Sequence, residues 1–468
     1  MLTAQYKVLY ESLKEGIERS RETLQPVVIS YVKKIKKIDN PFSFFRAGRT
    51  SFLGERIFWS EPSRNMYIVG IGHAYTIDAL SPNQRFSYVK NKWQQLLKQH
   101  IIKPDFYPLI YGTGPILLGG FSFDPYKQKT GLWNKFAEGK MVLPAFMLTI
   151  TDGQAWLTTN IIVDKYDCPD EKTAWLEEQK RLLLTSQAPP SPKQNHILFQ
   201  LEVSPEKWMD SVTKVTKDIR AGLVEKVVLA RELRIKTKEV IQAEDVLARL
   251  LKEQPSSYIF AVESGDNCFI GASPERLVKK QENEFLSMCL AGTIARGKSV
   301  EEDEKLGNEL LHDEKNLHEH LLVVQMIKNA MEEGCKEIII PEKPTLYKVR
   351  DVQHLYTPVV GRAKDNVLLL DMVEKLHPTP ALGGYPRDKA LEKIREEEKL
   401  ERGWYAAPIG WVDMNGDGEF AVAIRSGLFQ GKWVSLFAGC GIVGDSHPES
   451  EYKETQMKFK PMLSALRG

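Results

Sequence analysis

Residues 257–292, SYIFAVESGDNCFIGASPERLVKKQENEFLSMCLAG, decide the fold. The stretch holds short runs rich in β-branched and aromatic residues, and polar or glycine-containing turns separate them. Strands that follow one another through short turns pair in antiparallel fashion. Further strand-like runs alternate with helical patterns, as where a helix over 205–221 precedes the strand KVVLARELRI at 226–235. The sequence therefore predicts an α+β fold in which helices cover large, mostly antiparallel sheets.

The overall composition excludes several classes of protein. The 468 residues include 64 Lys and Arg against 62 Asp and Glu, which leaves a formal net charge of +2. Charge this balanced is not typical of proteins that bind nucleic acid or anionic membrane surfaces. No apolar run approaches the roughly 20 residues that span a bilayer, and the N-terminal pattern is that of an amphipathic helix, not of a signal peptide. We expect a cytoplasmic protein without nucleic-acid or membrane partners.

A polar, proline-containing segment, SQAPPSPKQNH at 186–196, is typical of an exposed connection. It divides the chain into an N-terminal part, residues 1–200, and a C-terminal part, residues 201–468. Composition leaves open whether these are two domains or two halves of one system of sheets.

Three short motifs resemble ligand sites but lack a required part. Residues 413–418, DMNGDG, open like a calcium loop, yet the twelfth position is Ile424 where a glutamate is needed, so a β-hairpin turn is predicted. Residues 439–444, GCGIVG, lack the βαβ unit of a dinucleotide site, although their glycines indicate a close approach of backbone. His318 and His320 alternate on a helix and therefore diverge, which excludes a zinc-protease pair.

One helix predicted over 301–333 carries an unusual carboxylate. Its apolar residues form two stripes at helical spacing, which indicates burial on two faces. Glu319 falls within the second stripe, where an isolated carboxylate costs several kcal/mol unless it is paired, protonated or bound to a cation. The alternative is an ordinary helix-surface pair with Lys315, four residues earlier.

The last helix, residues 449–467, presents Glu451, Glu454 and Lys458 on one face. A solvated face with a Glu454–Lys458 pair is the simplest interpretation. Taken together with Glu319, however, these carboxylates offer the hard oxygen ligands from which a magnesium site for an anionic substrate is built.

Two more charged residues are candidates for acid–base chemistry. Lys226 opens a strand on the same face as Val228 and Ala230, where desolvation would lower its pKa and suit it to act as a general base. The alternative is a lysine that extends to solvent from the end of a strand. Glu275 follows a strand in GASPER, where it is either a proton donor or an ordinary cap.

Several motifs occur in order between residues 204 and 467, among them EKVVLAREL, IGASPERLV, CLAGTIARG, DEKNLHEHLLVV, LHPTPALGGYPRD, RGWYAAPIGWVD and FAVAIRSGLF. Together they resemble the chorismate-utilising enzymes, which include the anthranilate synthase large subunit, aminodeoxychorismate synthase, isochorismate synthase and salicylate synthase. The resemblance implies the chorismate-binding fold, with antiparallel sheets packed as a sandwich and helices outside. It also implies one interwoven domain, in which 186–196 is an internal loop.

The same resemblance implies roles for individual residues. Glu319 and Glu454 would bind Mg²⁺, with Glu451 acting directly or through water. The metal would neutralise the ring carboxylate of chorismate. Arg425 and Tyr405 would hold the pyruvyl carboxylate with help from the Gly441 backbone N–H. The full set of implied substrate-binding positions is His354, Ala381, Tyr405, Arg425, Gly441 and Lys458.

Three positions distinguish among the family's reactions. The aminating members carry Gln where this chain has Lys226, and the covalent lysine of one branch is replaced here by Ala291. Ala381, in PALGG, matches the pattern of the hydroxylating members. The resemblance thus implies an isochorismate synthase in which Lys226 activates water and Glu275 protonates the leaving 4-hydroxyl.

The N-terminal part is most similar to that of menaquinone-pathway isochorismate synthases. Salicylate synthase and siderophore-pathway isochorismate synthase are the alternatives. We expect chorismate as substrate, no glutaminase subunit, and a monomer or weak homodimer.

Overall fold

The structure of the protein is a computed structural model that describes residues 4–36, 38, 40–104, 108–185, 192–349 and 352–467. It consists of strands and helices interspersed along the chain. Residues 186–191, the larger part of the predicted connection at 186–196, lie outside the described residues. Among the described helices, none has both the length and the apolar composition needed to cross a membrane.

The elements before residue 203 are mostly strands. They are α1 (Ala4–Thr23), β1 (Val27–Ile35), α2 (Pro41–Ala47), α3 (Arg49–Phe52), β2 (Arg56–Ser60), β3 (Met66–Ala79), α4 (Arg85–Leu97), β4 (His100–Pro104), β5 (Ile116–Phe121), β6 (Gly139–Thr151), β7 (Gln154–Val163), α5 (Pro169–Leu184) and β8 (Ile197–Glu202).

Strands also outnumber helices among the later described elements, and four strands follow one another twice. They are α6 (Pro205–Arg220), β9 (Lys226–Thr237), α7 (Ala243–Glu253), β10 (Tyr258–Ser264), β11 (Asn267–Ser273), β12 (Arg276–Gln281), β13 (Glu284–Ala295), α8 (Val300–His312), α9 (Glu314–Glu332), β14 (Cys335–Ile339), β15 (Thr345–Lys348), β16 (Val352–Ala363), α10 (Leu369–Leu376), β17 (Gly384–Tyr385), α11 (Arg387–Glu397), β18 (Pro408–Asp413), β19 (Gly418–Val422), β20 (Ser426–Gln430), β21 (Trp433–Ile442) and α12 (Pro448–Arg467).

The strands form two hydrogen-bonded series that share β6. One series runs β4-β1-β7-β6-β3-β2-β10-β11-β20-β21-β9, with β8 and β17 on the outer edge of β9. The other runs β6-β5-β18-β19-β12-β13-β16, with β14 and β15 on the far edge of β16. The described pairings are antiparallel apart from that of β1 with β4. The predicted α+β fold with mostly antiparallel sheets is confirmed.

The sheets are buried on both faces, because alternate side chains of a strand enter different cores. In β2, Ile57 and Trp59 belong to one hydrophobic cluster while Phe58 belongs to a second. Helices α4, α6, α9, α10 and α11 add side chains to the first cluster, and α1, α2, α5, α7 and α12 add side chains to the second. Helices therefore cover the strands on both sides.

The single helix predicted over 301–333 is in fact two helices, α8 and α9. The helix is interrupted at Asp313, whose extended backbone has φ −76° and ψ 108°. Its Oδ1 accepts a hydrogen bond from the Asn316 backbone N–H at 2.7 Å and so caps α9. An aspartate at this position competes with the helix by offering its own hydrogen bond to the backbone, which the apolar periodicity did not reveal.

The burial predicted for the two apolar stripes is confirmed only in part, because each stripe has an exposed leucine on α9 and a buried valine close to it. Leu321 and Leu322 are 56% and 44% exposed, and the Glu319 side chain is 37% exposed. The apolar residues that pack inward are Val323, Val324, Ile327 and Met331. Glu319 thus lies at the rim of the protein interior, where a carboxylate is less costly than in the core.

Candidate active site

The end of β21 forms the floor of the candidate site. Beyond Phe437, β21 has no described strand partner on the edge that β20 occupies earlier. On the opposite edge, Gly439 and Gly441 face Ala230 and Val228 of β9. The Val228 N–H donates to the Gly383 carbonyl, and the Ala230 N–H donates to Oε2 of Glu398. Both N–H groups therefore point away from β21. These register pairs are therefore not hydrogen-bonded, and the backbone groups of both glycines face the open edge.

Glycine at 439 and 441 lets side chains approach this floor closely. A Cβ at Gly441 would lie 2.7 Å from Cε of Lys226, and one at Gly439 would lie 3.4 Å from the Tyr405 hydroxyl. The Gly439 carbonyl also accepts a hydrogen bond from Lys458 Nζ at 2.9 Å. The glycine motif at 439–444 thus makes room for charged and phenolic groups.

Lys226 and Glu319 form an ion pair across the site. Nζ of Lys226 and Oε1 of Glu319 are 2.5 Å apart, and the two side chains are 15% and 37% exposed. Lys226 lies, as predicted, at the start of β9 on the same side as the buried Val228 and Ala230. The alternative pairing of Glu319 with Lys315 is wrong, because Lys315 pairs with Asp445 at 2.5 Å.

Glu275 is a buried carboxyl in a field of positive charge. It is 8% exposed, and burial raises its pKa from 4.5 to about 7, although Arg425, Lys458 and Lys226 act in the opposite direction. Its backbone N–H donates to Ser273 Oγ at 3.2 Å. Within the described part of the chain, its carboxyl oxygens make no hydrogen bond. A carboxyl with a pKa of about 7 still holds its proton in a large fraction of molecules at neutral pH, so it can act as a proton donor.

Arg425 lies in the turn between β19 and β20 with a left-handed backbone, φ 49°. Burial lowers the pKa of its guanidinium, while the neighbouring Tyr405, Glu275 and Glu454 raise it. Among the described residues none accepts a hydrogen bond from this guanidinium or forms an ion pair with it. A desolvated cation without a bonded partner, held in a strained backbone conformation, is suited to bind an anion.

Tyr405 lies beside Arg425 at the base of the site. Burial raises the pKa of its phenol to about 12, so the hydroxyl keeps its proton and can donate a hydrogen bond. Its ring packs against Phe437 of β21 at a centroid distance of 5.4 Å. The Gly441 N–H faces the same open edge of β21, so Arg425, Tyr405 and this N–H are candidates to hold one anionic group together.

The acidic face of α12 lies over the same strand. Glu454 pairs with Lys458 at 2.6 Å, which confirms the predicted pair. The Cys440 thiol donates to the Glu451 backbone carbonyl at 3.8 Å, which fixes the start of α12 on β21. Burial raises the pKa of Glu451, and the charge of Glu454 adds to this effect.

His354 and Ala381, the other two predicted positions, lie on β16 and in the turn before β17. His354, on β16, forms a hydrogen bond between Nδ1 and Thr293 Oγ1 at 2.8 Å. Burial and the charges of Arg425 and Lys458 lower its pKa to about 4, so the ring is neutral. Ala381 lies in the turn before β17, where the next two N–H groups both bond to Thr379 O. This turn packs against β9 beside the residues that follow Lys226.

The carboxylates fit a magnesium site in their donor chemistry. Mg²⁺ is bound in proteins by one or two carboxylates together with waters and substrate oxygens. Glu319 and Glu454 are two such carboxylates, and each is now paired with a lysine. Within the described residues, no group of three or more His, Cys, Asp and Glu side chains is close enough to hold a metal by itself. By donor chemistry alone, Glu319 and Glu454 fit a site that substrate oxygens and water would complete.

Two of the look-alike motifs have the structures predicted for them. Residues 413–418 are the hairpin turn between β18 and β19, in which Asp413 Oδ1 accepts from the N–H groups of Asn415 and Asp417. His320 is buried with Nε2 2.7 Å from Thr357 Oγ1, whereas His318 is exposed, so the two rings diverge.

Comparison with known proteins agrees with this arrangement. The chorismate binding enzyme family model matches residues 14–467. The chain belongs to this family. Isochorismate synthase MenF of Bacillus subtilis (strain 168) is 43% identical over 474 residues, which cover 100% of this chain and 99% of that protein. The salicylate biosynthesis isochorismate synthase of Pseudomonas aeruginosa is 37% identical over 421 residues, 88% of this chain and 84% of that one.

The fold of this chorismate-binding enzyme matches a solved structure. MenF, the menaquinone-specific isochorismate synthase from Escherichia coli, superposes with a TM-score of 0.79 over 97% of this chain and 100% of that chain, at 24% identity. The resemblance inferred from the motifs, and the chorismate-binding fold that it implied, are both confirmed.

The structure adds one group that sequence reasoning missed. Glu398 and Arg402 form a buried pair directly behind β9, and their side chains are only 1% and 3% exposed. In the sequence they stand in the charged run REEEKLERG, which is typical of a solvated surface. Their spacing of four residues was the only available signal, and it indicates a surface helix pair equally well.

Proposed function

We propose that this chorismate-binding enzyme is an isochorismate synthase that converts chorismate to isochorismate reversibly. One observation carries the proposal: Glu275 is a buried carboxyl whose pKa is raised to about 7, and it lies close enough to Lys226 and Arg425 for their charges to act on it. A base and an acid around a bound anion are what addition of water and loss of a hydroxyl require. The full-length similarity to an isochorismate synthase supports the same reaction.

In the proposed reaction, Lys226 in its neutral form takes a proton from water as the water oxygen bonds to C2 of chorismate. The ring double bonds shift, and the C4–oxygen bond breaks. Glu275 gives its proton to the departing hydroxyl, which leaves as water. One water is added and one is released, so substrate and product are isomers and the reaction runs in both directions. The proton that Lys226 takes up balances the one that Glu275 gives.

Arg425, Tyr405 and the Gly441 N–H would bind the pyruvyl carboxylate of the substrate. The guanidinium of Arg425 has two parallel donors for such a group, and the protonated phenol of Tyr405 adds a third. His354 would lie beside the ring, and Ala381 and Lys458 would line the remaining wall. These assignments rest on the family resemblance together with the positions of the side chains around β21.

We further propose that Glu319 and Glu454 hold Mg²⁺, with Glu451 bound directly or through water. Bound magnesium would supply positive charge opposite the ring carboxylate of chorismate. Binding of a cation by Glu319 would compete with the ion pair that this carboxylate forms with Lys226.

The similarity to MenF over the whole chain supports a role in menaquinone biosynthesis. We propose a cytoplasmic enzyme that acts without a glutaminase subunit, as a monomer or weak homodimer. We also propose that residues 1–200 and 201–468 form one interwoven domain. The pairing of β2 with β10 and of β5 with β18 supports this, because it joins the two parts in the same sheets.

Product identification tests the reaction. Purified protein is incubated with chorismate and magnesium, with and without ammonium, and the products are separated by chromatography. We expect isochorismate in both cases, and the same equilibrium mixture from added isochorismate. Salicylate fluorescence without an added lyase would favour salicylate synthase instead, and an aminated product would refute water as the nucleophile. Tight binding of chorismate without turnover would indicate a regulatory binding protein.

A further inference from the structure

The outer edge of β9 has a gap between two strand partners. Gly384 and Tyr385 of β17 pair with the first residues of β9, and β8 pairs with residues 233–237. Between them, the Val228 N–H donates to the Gly383 carbonyl just before β17, but no described strand provides a partner for the Val228 carbonyl or the Ala230 N–H. Unpaired backbone groups at this depth would be costly, since both residues are buried.

Glu398 and Arg402 fill this gap with side-chain hydrogen bonds. Nη2 of Arg402 donates to the Val228 carbonyl at 2.7 Å, and the Ala230 N–H donates to Oε2 of Glu398 at 2.8 Å. The two side chains bind each other in bidentate fashion, with Nε–Oε1 and Nη2–Oε2 distances of 2.8 and 2.7 Å. The carboxylate and the guanidinium thus continue the ladder of β9 in place of a strand.

The remaining contacts of Arg402 go to other parts of the candidate site. Its Nη1 donates to the Leu382 carbonyl at 3.0 Å, next to Ala381. Its own carbonyl accepts a hydrogen bond from the Tyr405 N–H at 2.9 Å. The guanidinium lies 4.2 Å from the centroid of the Phe123 ring, which restricts its orientation further.

We propose that Glu398 and Arg402 are positioning residues that hold the Lys226 end of β9, the Ala381 turn and Tyr405 in fixed relation around the substrate. A buried ion pair adds little net stability compared with apolar residues of the same volume, so stability alone is a weak reason for its presence. The inference rests on the proposed function, because that function gives Lys226, Ala381 and Tyr405 their roles. The hydrogen bonds of Glu398 and Arg402 to the β9 backbone do not depend on the proposed function.

The test compares two buried, bidentate arginines. Arg402→Lys keeps the charge but loses the planar fork. The matched control is Arg56→Lys in β2, where the wild-type guanidinium is 1% exposed and binds Glu263 with distances of 2.8 and 2.6 Å. For each variant we would measure kcat and KM for chorismate, the midpoint of thermal unfolding, and the hydrogen–deuterium exchange of the backbone amides of Ala230 and 383–385.

Arg402→Lys is expected to lower kcat by about a hundredfold, the order expected when reacting groups shift by about 1 Å. In Arg402→Lys, the backbone amides of Ala230 and of 383–385 are expected to exchange faster than in the wild-type protein. The control Arg56→Lys is expected to keep the wild-type kcat and the wild-type exchange at these amides. Equal losses of kcat in the two variants, or a fall in thermal midpoint with kcat unchanged in Arg402→Lys, would overturn the proposal. If Arg402→Lys does not fold, Glu398→Gln is measured against the same criteria, with kcat expected to fall about tenfold.

Failure of the proposed function would be recognised separately. If wild-type protein gives no isochorismate, the exchange measurement alone decides the positioning role. Faster exchange confined to Ala230 and 383–385 in Arg402→Lys would then support it, and wild-type exchange there would refute it.

Discussion

Replacing Glu275 by glutamine should change how the stability of the protein depends on pH. The wild-type carboxyl is buried, and its pKa is raised from 4.5 to about 7. Below pH 4.5 the folded and unfolded chains both hold the proton. Between pH 4.5 and about 7 the unfolded chain releases it while the folded protein does not, so the free energy of unfolding falls as pH rises.

The size of this effect follows from the two pKa values. Each pH unit between them is worth about 1.4 kcal/mol, so the wild-type protein loses about 3 kcal/mol in total by pH 8. Glutamine has nearly the same shape and does not titrate. The stability of Glu275→Gln relative to wild type should therefore increase by about 3 kcal/mol over this range.

Urea unfolding of the metal-free proteins, followed by tryptophan fluorescence at several pH values, measures this difference. Glu309→Gln, at a glutamate whose side chain is 53% exposed, controls for general effects of pH and of the substitution. The decisive quantity is the difference between the two curves. If wild type and Glu275→Gln keep a constant separation, the carboxyl is ionised in the folded protein and cannot serve as the proton donor.

The remaining predictions concern the proposed chemistry. Lys226→Gln should lower kcat by about 10²–10⁴-fold while chorismate still binds in a calorimetric titration, and near-wild-type turnover would refute its role as base. Glu319→Ala should weaken magnesium binding in the same type of titration. The control Glu332→Ala, on the same helix but with a side chain that is 54% exposed, should leave it unchanged. Equal magnesium affinities of the two variants would contradict the assignment of Glu319 as a ligand. Gly441→Ala should lower kcat, because the added Cβ would lie 2.7 Å from Lys226 Cε, and Gly444→Ala, whose nearest atom is 3.7 Å away, is the matched control.

The proton-donor role also predicts the alkaline limb of the activity profile. Because Glu275 must be protonated to donate, kcat/KM should fall as pH rises above about 7, the value to which burial raises its pKa. A profile that stays level through pH 9 would contradict this assignment, whatever the behaviour of Lys226.

Local patterns in the sequence were enough for much of the fold and for a set of candidate site residues. Strand alternation identified the side of β9 on which Lys226 lies, and the DMNGDG turn was recognised as a hairpin because one calcium ligand is missing. These features depend on residues close together in the chain, where backbone geometry relates spacing to direction. The motifs themselves were sufficient for the family.

Only the tertiary structure decided how the charges are partnered. Glu319 pairs with Lys226, 93 positions away, and not with Lys315, four positions away. Glu398 and Arg402 stand in a run of charges that is typical of a surface, yet they complete the edge of a buried strand. Periodicity describes one element at a time, whereas desolvation and ion pairing depend on which elements pack against it, so the charges that matter most here acquire their partners only in the folded protein.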